Sequence, residues 1–183
     1  MSYDYIVIGA GSAGCAIASR LSEREDNSVL LLEAGGPDDP KDIHIPVAWA
    51  SLMQSDVDWA YQTTPQKHCH NRIIDMPRGK VYGGSSSINA MIYQRGNPAD
   101  YDGWAELGNE GWSWAEVLPY FKKSQHQERG ESECHGVGGP LNIADLRDPN
   151  PLTLAFVEAA QQIGLAKNDD FNDGKQDGVG LFQ

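Results

Sequence analysis

Positive charge is scarce in this sequence. Against 14 lysines and arginines stand 26 aspartates and glutamates, giving a formal net charge of −12 over 183 residues and a pI near 4.6. Such a chain repels phosphate backbones and anionic headgroups, and no basic cluster offsets the balance, so neither nucleic acid nor a charged membrane surface is expected as a partner. Long apolar runs are also missing. Nothing approaches the ~20 residues of a membrane span, and the mean hydropathy is −0.49. The opening Met1-Ser2-Tyr3-Asp4 has no basic n-region, and the Tyr5-Ile6-Val7-Ile8 that follows is too short for a signal-peptide core, which predicts a cytoplasmic protein. Cysteines are few: Cys15, Cys69 and Cys134 are odd in number and widely spaced, as reduced thiols rather than a disulfide framework would be. His68-Cys69-His70 and Cys134-His135 lack the paired spacing of a tetrahedral metal site, so no metal is expected.

What is present begins at the N-terminus. Tyr5 to Ile8 is β-branched or aromatic, and Ala13 to Leu21 is Ala-rich with Ile17 and Leu21 one helical turn apart. Glu25-Asp26-Asn27 ends that helix. Ser28-Val29-Leu30-Leu31-Leu32 then reads as a strand buried on both faces of a parallel sheet. Between the first strand and the helix lies Gly9-Ala10-Gly11-Ser12-Ala13-Gly14, a G-x-G-x-x-G: Gly9 for the tight turn, Gly11 to admit a pyrophosphate, Gly14 for close helix packing. Glu33 follows 19 residues after Gly14, at the end of the second strand. Glycine turn, helix start and spaced acid together predict a dinucleotide site, with Glu33 accepting both ribose hydroxyls and repelling a 2′-phosphate. That leaves NAD and FAD. The fold class is α/β, a Rossmann-type βαβ domain.

Beyond Gly35-Gly36-Pro37 no regular alternation of strand and helix resumes through Gln66, which predicts loop-rich insertions. A short strand is expected in Trp59 to Thr63 and a helix over Trp114 to Lys123 interrupted at Pro119. Asn150-Pro151 caps an amphipathic helix whose Leu152, Phe156, Ala159, Ala160 and Ile163 share one face and which Gly164 closes. Trp59, Trp104, Trp112 and Trp114 are candidates for a cage around a quaternary ammonium, or for core. Asp169 to Gly174 is acidic but fails the ligand alternation of a calcium loop.

A second glycine-rich segment, Gly79-Lys80-Val81-Tyr82-Gly83-Gly84-Ser85-Ser86-Ser87-Ile88-Asn89, offers uncovered amides and three hydroxyls, and serves equally as a nest for a polar ligand or as a structural turn. Gly79 to Asp102 as a whole resembles the first signature of the glucose-methanol-choline (GMC) oxidoreductases. The resemblance extends to Leu31 to Gly36, Trp112-Ser113-Trp114, Val117 to Phe121, Gly139-Pro140-Leu141, Asp170-Phe171-Asn172 and Gly178-Val179-Gly180, nearly the whole chain. Within the family the sequence is most similar to choline dehydrogenases and related FAD-dependent alcohol dehydrogenases.

That resemblance implies FAD. Gly9, Gly11, Ser12, Ala13, Gly14, Glu33 and Ala34 would hold its ADP half, and Val81, Gly84, Ser85, Asn89, Ala90, Met91 and Ile92 would line the ribityl chain and isoalloxazine. Tyr82 stands where the family usually has an aliphatic residue. Ile88 stands where some members carry the histidine that bonds flavin covalently, so a non-covalent flavin is expected. Family members pass hydride from the carbon of a small-molecule alcohol to flavin N5 while a histidine takes the hydroxyl proton. That histidine belongs to the family's C-terminal part, and none of His44, His68, His70, His126 and His135 matches its context, so no catalytic residue is assigned. The expectation is an N-terminal part of a longer enzyme, with residues 1–145 in the FAD-binding domain and 146–183 opening an α+β substrate domain or a further FAD-domain segment. The alternatives are a non-catalytic flavin-binding fragment, a chain too incomplete to fold stably, and an NAD-dependent dehydrogenase. Neither the alcohol nor the electron acceptor is specified by these residues.

Overall fold

The computed structural model describes residues 2–183, which fall into two units, one ending at Met91 and one spanning Ile92–Gln183. This division differs from the expected boundary at 145/146. It follows the density of contacts, whereas that boundary concerns roles in binding.

In the first unit, strand β1 (Tyr5–Ile8), helix α1 (Ser12–Ser22) and strand β2 (Val29–Leu32) form the expected Rossmann-type βαβ unit. The strands are parallel, with Tyr5 opposite Val29 and Ile8 opposite Leu32. The sheet has two strands, so the expectation that β2 is buried on both faces is not met. Leu31 and Leu32 are exposed, as are Ile6 and Ile8, the latter 84%. A strand needs a layer on each side to bury both faces. The insertions that follow are loops and 3-10 turns, including Lys41–His44 and Pro46–Leu52. The strand expected around Trp59 to Thr63 is the two-residue β3 (Tyr61–Gln62), antiparallel to β4 (Asp75–Met76). Leu52, Val81 and Ile88 form this unit's core, with Ile43 and Val57 against it.

The second unit contains α2 (Pro98–Glu106), α3 (Trp114–Ser124), a parallel pair β5 (Gln125–Gln127) and β6 (Leu141–Ile143), and α4 (Pro151–Gln162). Asn97 caps α2 and Asn150 caps α4, each accepting a backbone N–H two residues on. Helix α3 runs through Pro119 rather than breaking there; the proline removes one hydrogen bond of the ladder while the turns on either side persist. Trp104, Trp114 and Phe121 gather around Tyr101 at centroid distances of 5.4–5.7 Å, and Trp112 packs edge-on against Trp104; Trp104 and Trp112 are exposed at the cluster's outer side and the other three rings are half-buried.

The interior of this unit is unusually polar. Arg95, Gln125, Gln127, His135, Asn168 and Asn172 are all buried. The Arg95 guanidinium donates to the carbonyl of Cys134, the amide oxygen of Gln125 and the hydroxyl of Tyr93, and lies 5.1 Å from the Phe121 ring centroid. Its backbone N–H donates to Asn172 Oδ1 at 2.8 Å. Apolar burial is confined to Ile143 and a cluster of Val157, Ala160 and Val179. Helix α4 therefore docks by a stripe next to the expected one. Ala160 is buried, but Leu152, Phe156 and Ile163 are exposed, because the helix carries apolar residues over two adjacent sectors and only that of Val157 meets the unit. No helix among the described residues is long and apolar enough to cross a membrane.

His135 is the titratable centre of this interior. Its Nδ1 accepts from Gln125 Nε2 at 3.0 Å; its Nε2 lies 3.1 Å from Asp170 Oδ2, yet without hydrogen-bond alignment. Burial pushes the imidazole below its usual 6.5; Asp170 opposes this and Arg95 adds to it. A depressed histidine leaves the folded state neutral while the unfolded chain takes up a proton. Its contribution is thus complete above pH ~6.5 and is lost as pH falls from there through the folded value. The melting temperature of the wild type should fall between about pH 7 and pH 5, and His135→Gln should flatten that interval. Parallel curves for the two proteins would refute this assignment.

Candidate functional site

The two glycine-rich segments meet. Gly83 N–H donates to the Ala10 carbonyl at 2.7 Å, and Gly11 and Gly83 form an isolated parallel bridge. Ala10 is buried, and its own N–H donates to Glu33 Oε2 at 2.6 Å while Gly35 N–H donates to Glu33 Oε1 at 2.8 Å. One carboxylate thus holds the first glycine turn and the residues just beyond β2 in a fixed relation, with a lone pair left on each oxygen for a ligand.

Around this junction lies a cavity of about 780 Å³, within the range of cofactor sites. Gly9, Gly11, Ser12, Ala13, Gly14, Glu33, Ala34, Gly84 and Ser85 line it, as do Ile8, Leu32, Trp59, Tyr61, Arg78 and Gly79. No side chain caps α1 at Gly11, so the first amides of the helix face this space uncovered. Two glycines are glycine for internal reasons. A Cβ on Gly14 would stand 1.8 Å from the Gly9 carbonyl oxygen, and one on Gly84, where φ is +58°, would stand 2.8 Å from Gly11 Cα. Gly11 differs. A Cβ there would meet nothing nearer than Gly84 Cα at 4.0 Å, so the open space beside it belongs to the cavity rather than to a packed neighbour.

The remaining residues expected from the sequence divide. Asn89 and Met91 line a separate cavity of about 220 Å³, with Asp38, Asp42, Ile43, His44, Ile45, Trp49, Leu52, Ser86 and Ser87. Val81 is fully buried in the core and lines neither space. Ala90 and Ile92 line neither space. The three serine hydroxyls brace their own loop instead of standing free. Ser85 Oγ accepts from Gly79 N–H, Ser86 Oγ donates to the Gly83 carbonyl and Ser87 Oγ to that of Tyr82. Ile88 is buried hydrocarbon. Among the described residues no group of three or more His, Cys, Asp or Glu side chains could hold a metal ion.

Trp59, Tyr61 and Arg78 are cavity residues that motif reading passes over. They are set in place by Asp58, a buried carboxylate that accepts backbone N–H groups from Gln54, Ala60 and Arg78. Burial alone would raise its pKa, but those three donors outweigh it and hold the carboxyl below its usual value. Trp59 N–H donates to the Arg78 carbonyl at 2.8 Å, and Ala60 between the two aromatics is left-handed at φ +50°. That conformation costs a non-glycine residue about 1–2 kcal/mol, which the Asp58 network offsets. The available signal was a buried-type Asp beside a Trp-x-Tyr, which no spacing rule singles out.

Comparison with known proteins gives a consistent set. The GMC oxidoreductase family model matches residues 3–183. An oxygen-dependent choline dehydrogenase of Sinorhizobium fredii is 50% identical over all of this chain and 34% of its own length. An alcohol dehydrogenase [acceptor] of Pseudomonas putida is 48% identical over 99% of the chain and 33% of its own. The chain spans about a third of the curated relatives it matches. Among solved structures, pyridoxine 4-oxidase from Mesorbium loti superposes with a TM-score of 0.91 at 38% identity, covering 97% of this chain and 35% of that one. An FAD-dependent oxidoreductase from Chaetomium thermophilum does so at 0.81 and 33%, covering 94% and 32%.

Gly14→Ala should destabilise the fold by about 1–3 kcal/mol or more, through the backbone clash, whereas Gly11→Ala should change it by less than about 1 kcal/mol. Urea unfolding of the two variants separates them. Equal losses would mean that Gly11 is also packed against protein.

Proposed function

The chain belongs to the GMC oxidoreductase family, and from that premise we propose that it is the FAD-binding portion of an enzyme oxidising the CH–OH group of a primary alcohol, choline-like or aliphatic. One observation carries this reading: two glycine-rich segments about seventy residues apart line a single cavity together with an acidic residue at the end of β2. The residues fit the cofactor. Gly11 leaves a cradle that a side chain would fill, the uncapped amides of α1 suit a pyrophosphate, and Glu33 keeps acceptor capacity for ribose hydroxyls.

In this reading Gly9, Gly11, Ser12, Ala13 and Gly14 hold the phosphates, and Glu33 and Ala34 the adjoining ribose. Gly84 and Ser85 take the ribityl side, with Val81 packed in the core behind their loop and Asn89, Ala90 and Met91 continuing toward the flavin ring. When bound, FAD supplies the two-electron acceptor whose N5 receives hydride from the alcohol carbon. The chain's part is to bind, orient and exclude water. Glu33, locked by two backbone amides, spends no ordering entropy on binding. The flavin is held non-covalently, since the position used for covalent attachment elsewhere in the family is the buried Ile88. Residues 1–145 form the FAD-binding part and 146–183 open the next segment. Three free cysteines suit the reducing cytoplasm.

The test is spectroscopic, on the protein at its full natural length. It should purify with a flavin absorption band, release intact FAD on acid denaturation, and bleach anaerobically with choline or a simple primary alcohol. Gly11→Val should abolish flavin binding while leaving the fold in place. A protein free of flavin, or a flavin retained after denaturation, would overturn the cofactor assignment or its non-covalent form respectively. Flavin that no primary alcohol bleaches would replace the enzyme reading with that of a non-catalytic flavin binder.

A further inference from the structure

Gln125, fully buried at the start of β5, shares its side-chain amide between two buried groups that carry or can take up positive charge. On one side its Oε1 accepts from the Arg95 guanidinium; on the other its Nε2 lies 3.0 Å from His135 Nδ1. The far edge of the imidazole settles which way the second contact runs. His135 Nε2 stands 3.1 Å from Asp170 Oδ2, and a carboxylate only accepts, so the imidazole proton belongs on Nε2 and Nδ1 accepts from the amide. The groups are then matched: guanidinium to oxygen, amide N–H to ring nitrogen, and ring N–H toward the carboxylate, although not in line with it. Asp170 and Asp173 face the ring from the loop after α4 and Arg95 from the segment before α2, while Arg129 shares Asp170 at 3.4 Å.

A second proton on His135 breaks the match. Nδ1 becomes a donor facing a donor, and the amide can meet it only with Oε1, which already lies 3.4 Å away. That oxygen is committed to Arg95. A flipped amide would turn its N–H groups on the guanidinium, and an oxygen held between both would draw two like charges together in a buried site. We propose that Gln125 is a proton-driven switch: with His135 neutral its amide holds Arg95, and with His135 protonated it turns to the imidazolium and releases the guanidinium. The imidazolium in turn pairs with Asp170, in the loop whose Asn172 and Gln176 hold the Arg95 N–H and carbonyl. Acid thus moves the bonding of this interior from the Arg95 side chain to the loop, below pH ~6.5 because burial opposes the proton. Beyond a loss of stability, the folded unit takes up a second state. Nearby rings report it, since Arg95 Cζ lies 5.1 Å from the Phe121 ring centroid and that ring is 6.1 Å from Trp114.

The experiment follows the near-ultraviolet circular dichroism of the protein of full natural length from about pH 8 to about pH 5. Wild type should change reversibly with a midpoint below ~6.5 while its far-ultraviolet signal and a cooperative melt persist, and His135→Gln should stay flat. Gln125→Glu offers an oxygen to each cation, which removes the conflict, so it should be flat as well, with Arg95 held throughout. Wild-type crystals soaked at the two pH values should show the Arg95 guanidinium bonded to Gln125 at the higher and separated from it by more than ~3.5 Å at the lower. A wild-type signal that stays flat, a change that does not reverse, or the same change in His135→Gln or Gln125→Glu overturns the switch. An Arg95–Gln125 bond intact at the lower pH does so too. Should either variant fail to fold, the two crystal structures decide.

Discussion

The backbone of Ala10 is the point on which the first half of the molecule turns. Its N–H is taken by Glu33 and its carbonyl by Gly83 N–H, so residues separated by 23 and 73 positions meet at one buried residue. The bond to Glu33 is charge-assisted and short, the kind that contributes about 1.5–3 kcal/mol rather than the usual one. What it fixes matters more than its strength. It sets the glycine turn after β1 against the end of β2, and through Gly83 it draws the second glycine loop against the first. A sheet of only two strands cannot impose that order by itself. Here the order comes from hydrogen bonds across turns, with glycine required wherever two backbones come within a Cβ of each other.

This explains which parts of the site the sequence made legible. Gly9, Gly11, Gly14 and Glu33, which line one cavity, were legible as neighbours because a turn into a helix and an acid one strand later are local geometry, and spacing encodes local geometry. Ser85, Ser86 and Ser87 were open to either reading, ligand nest or structural turn: the Ser86 and Ser87 hydroxyls donate to carbonyls of their own loop, while Ser85 accepts from Gly79 N–H and still lines the cavity, a division that composition does not show. Trp59 and Tyr61 were legible only as aromatics, because their place in the cavity is decided by Asp58, and Asp58 acts by accepting three backbone amides that a sequence does not display. Burial was the least legible. Strand β2 and helix α4 carry apolar residues on more faces than their own units cover, and a periodicity shows that a face is apolar without showing what meets it.

The charge balance adds a constraint on the proposed cofactor. A pyrophosphate must settle in a chain of net charge −12, where the mean field opposes it. Discrimination therefore falls to short-range donors. Backbone amides at an uncapped helix start carry partial positive charge that no pH change removes, and Arg78 lines the same space. Glu33 in that setting has two effects of opposite sign on a nucleotide: it accepts from ribose hydroxyls and it repels a third phosphate group. The acidic chain adds to the second effect, so the scarcity of positive charge would also sharpen the choice among dinucleotides.

The signature run from Gly79 to Asp102 has a different physical task in each unit. Up to Met91, where φ is +56°, it supplies loop backbone and core side chains around the cavities. From Ile92 onward it supplies Arg95, a buried guanidinium whose described hydrogen bonds run to neutral oxygens on Tyr93, Gln125 and Cys134. A cation placed so costs desolvation that neutral partners only partly return, and replacing such a network with hydrocarbon is often neutral or stabilising. Its value lies elsewhere. Each of those oxygens belongs to a different stretch of chain, and a hydrogen-bonded fork tolerates far less displacement than a greasy contact does. Arg95 thus fixes the second unit's interior to within a bond angle while contributing little net stability.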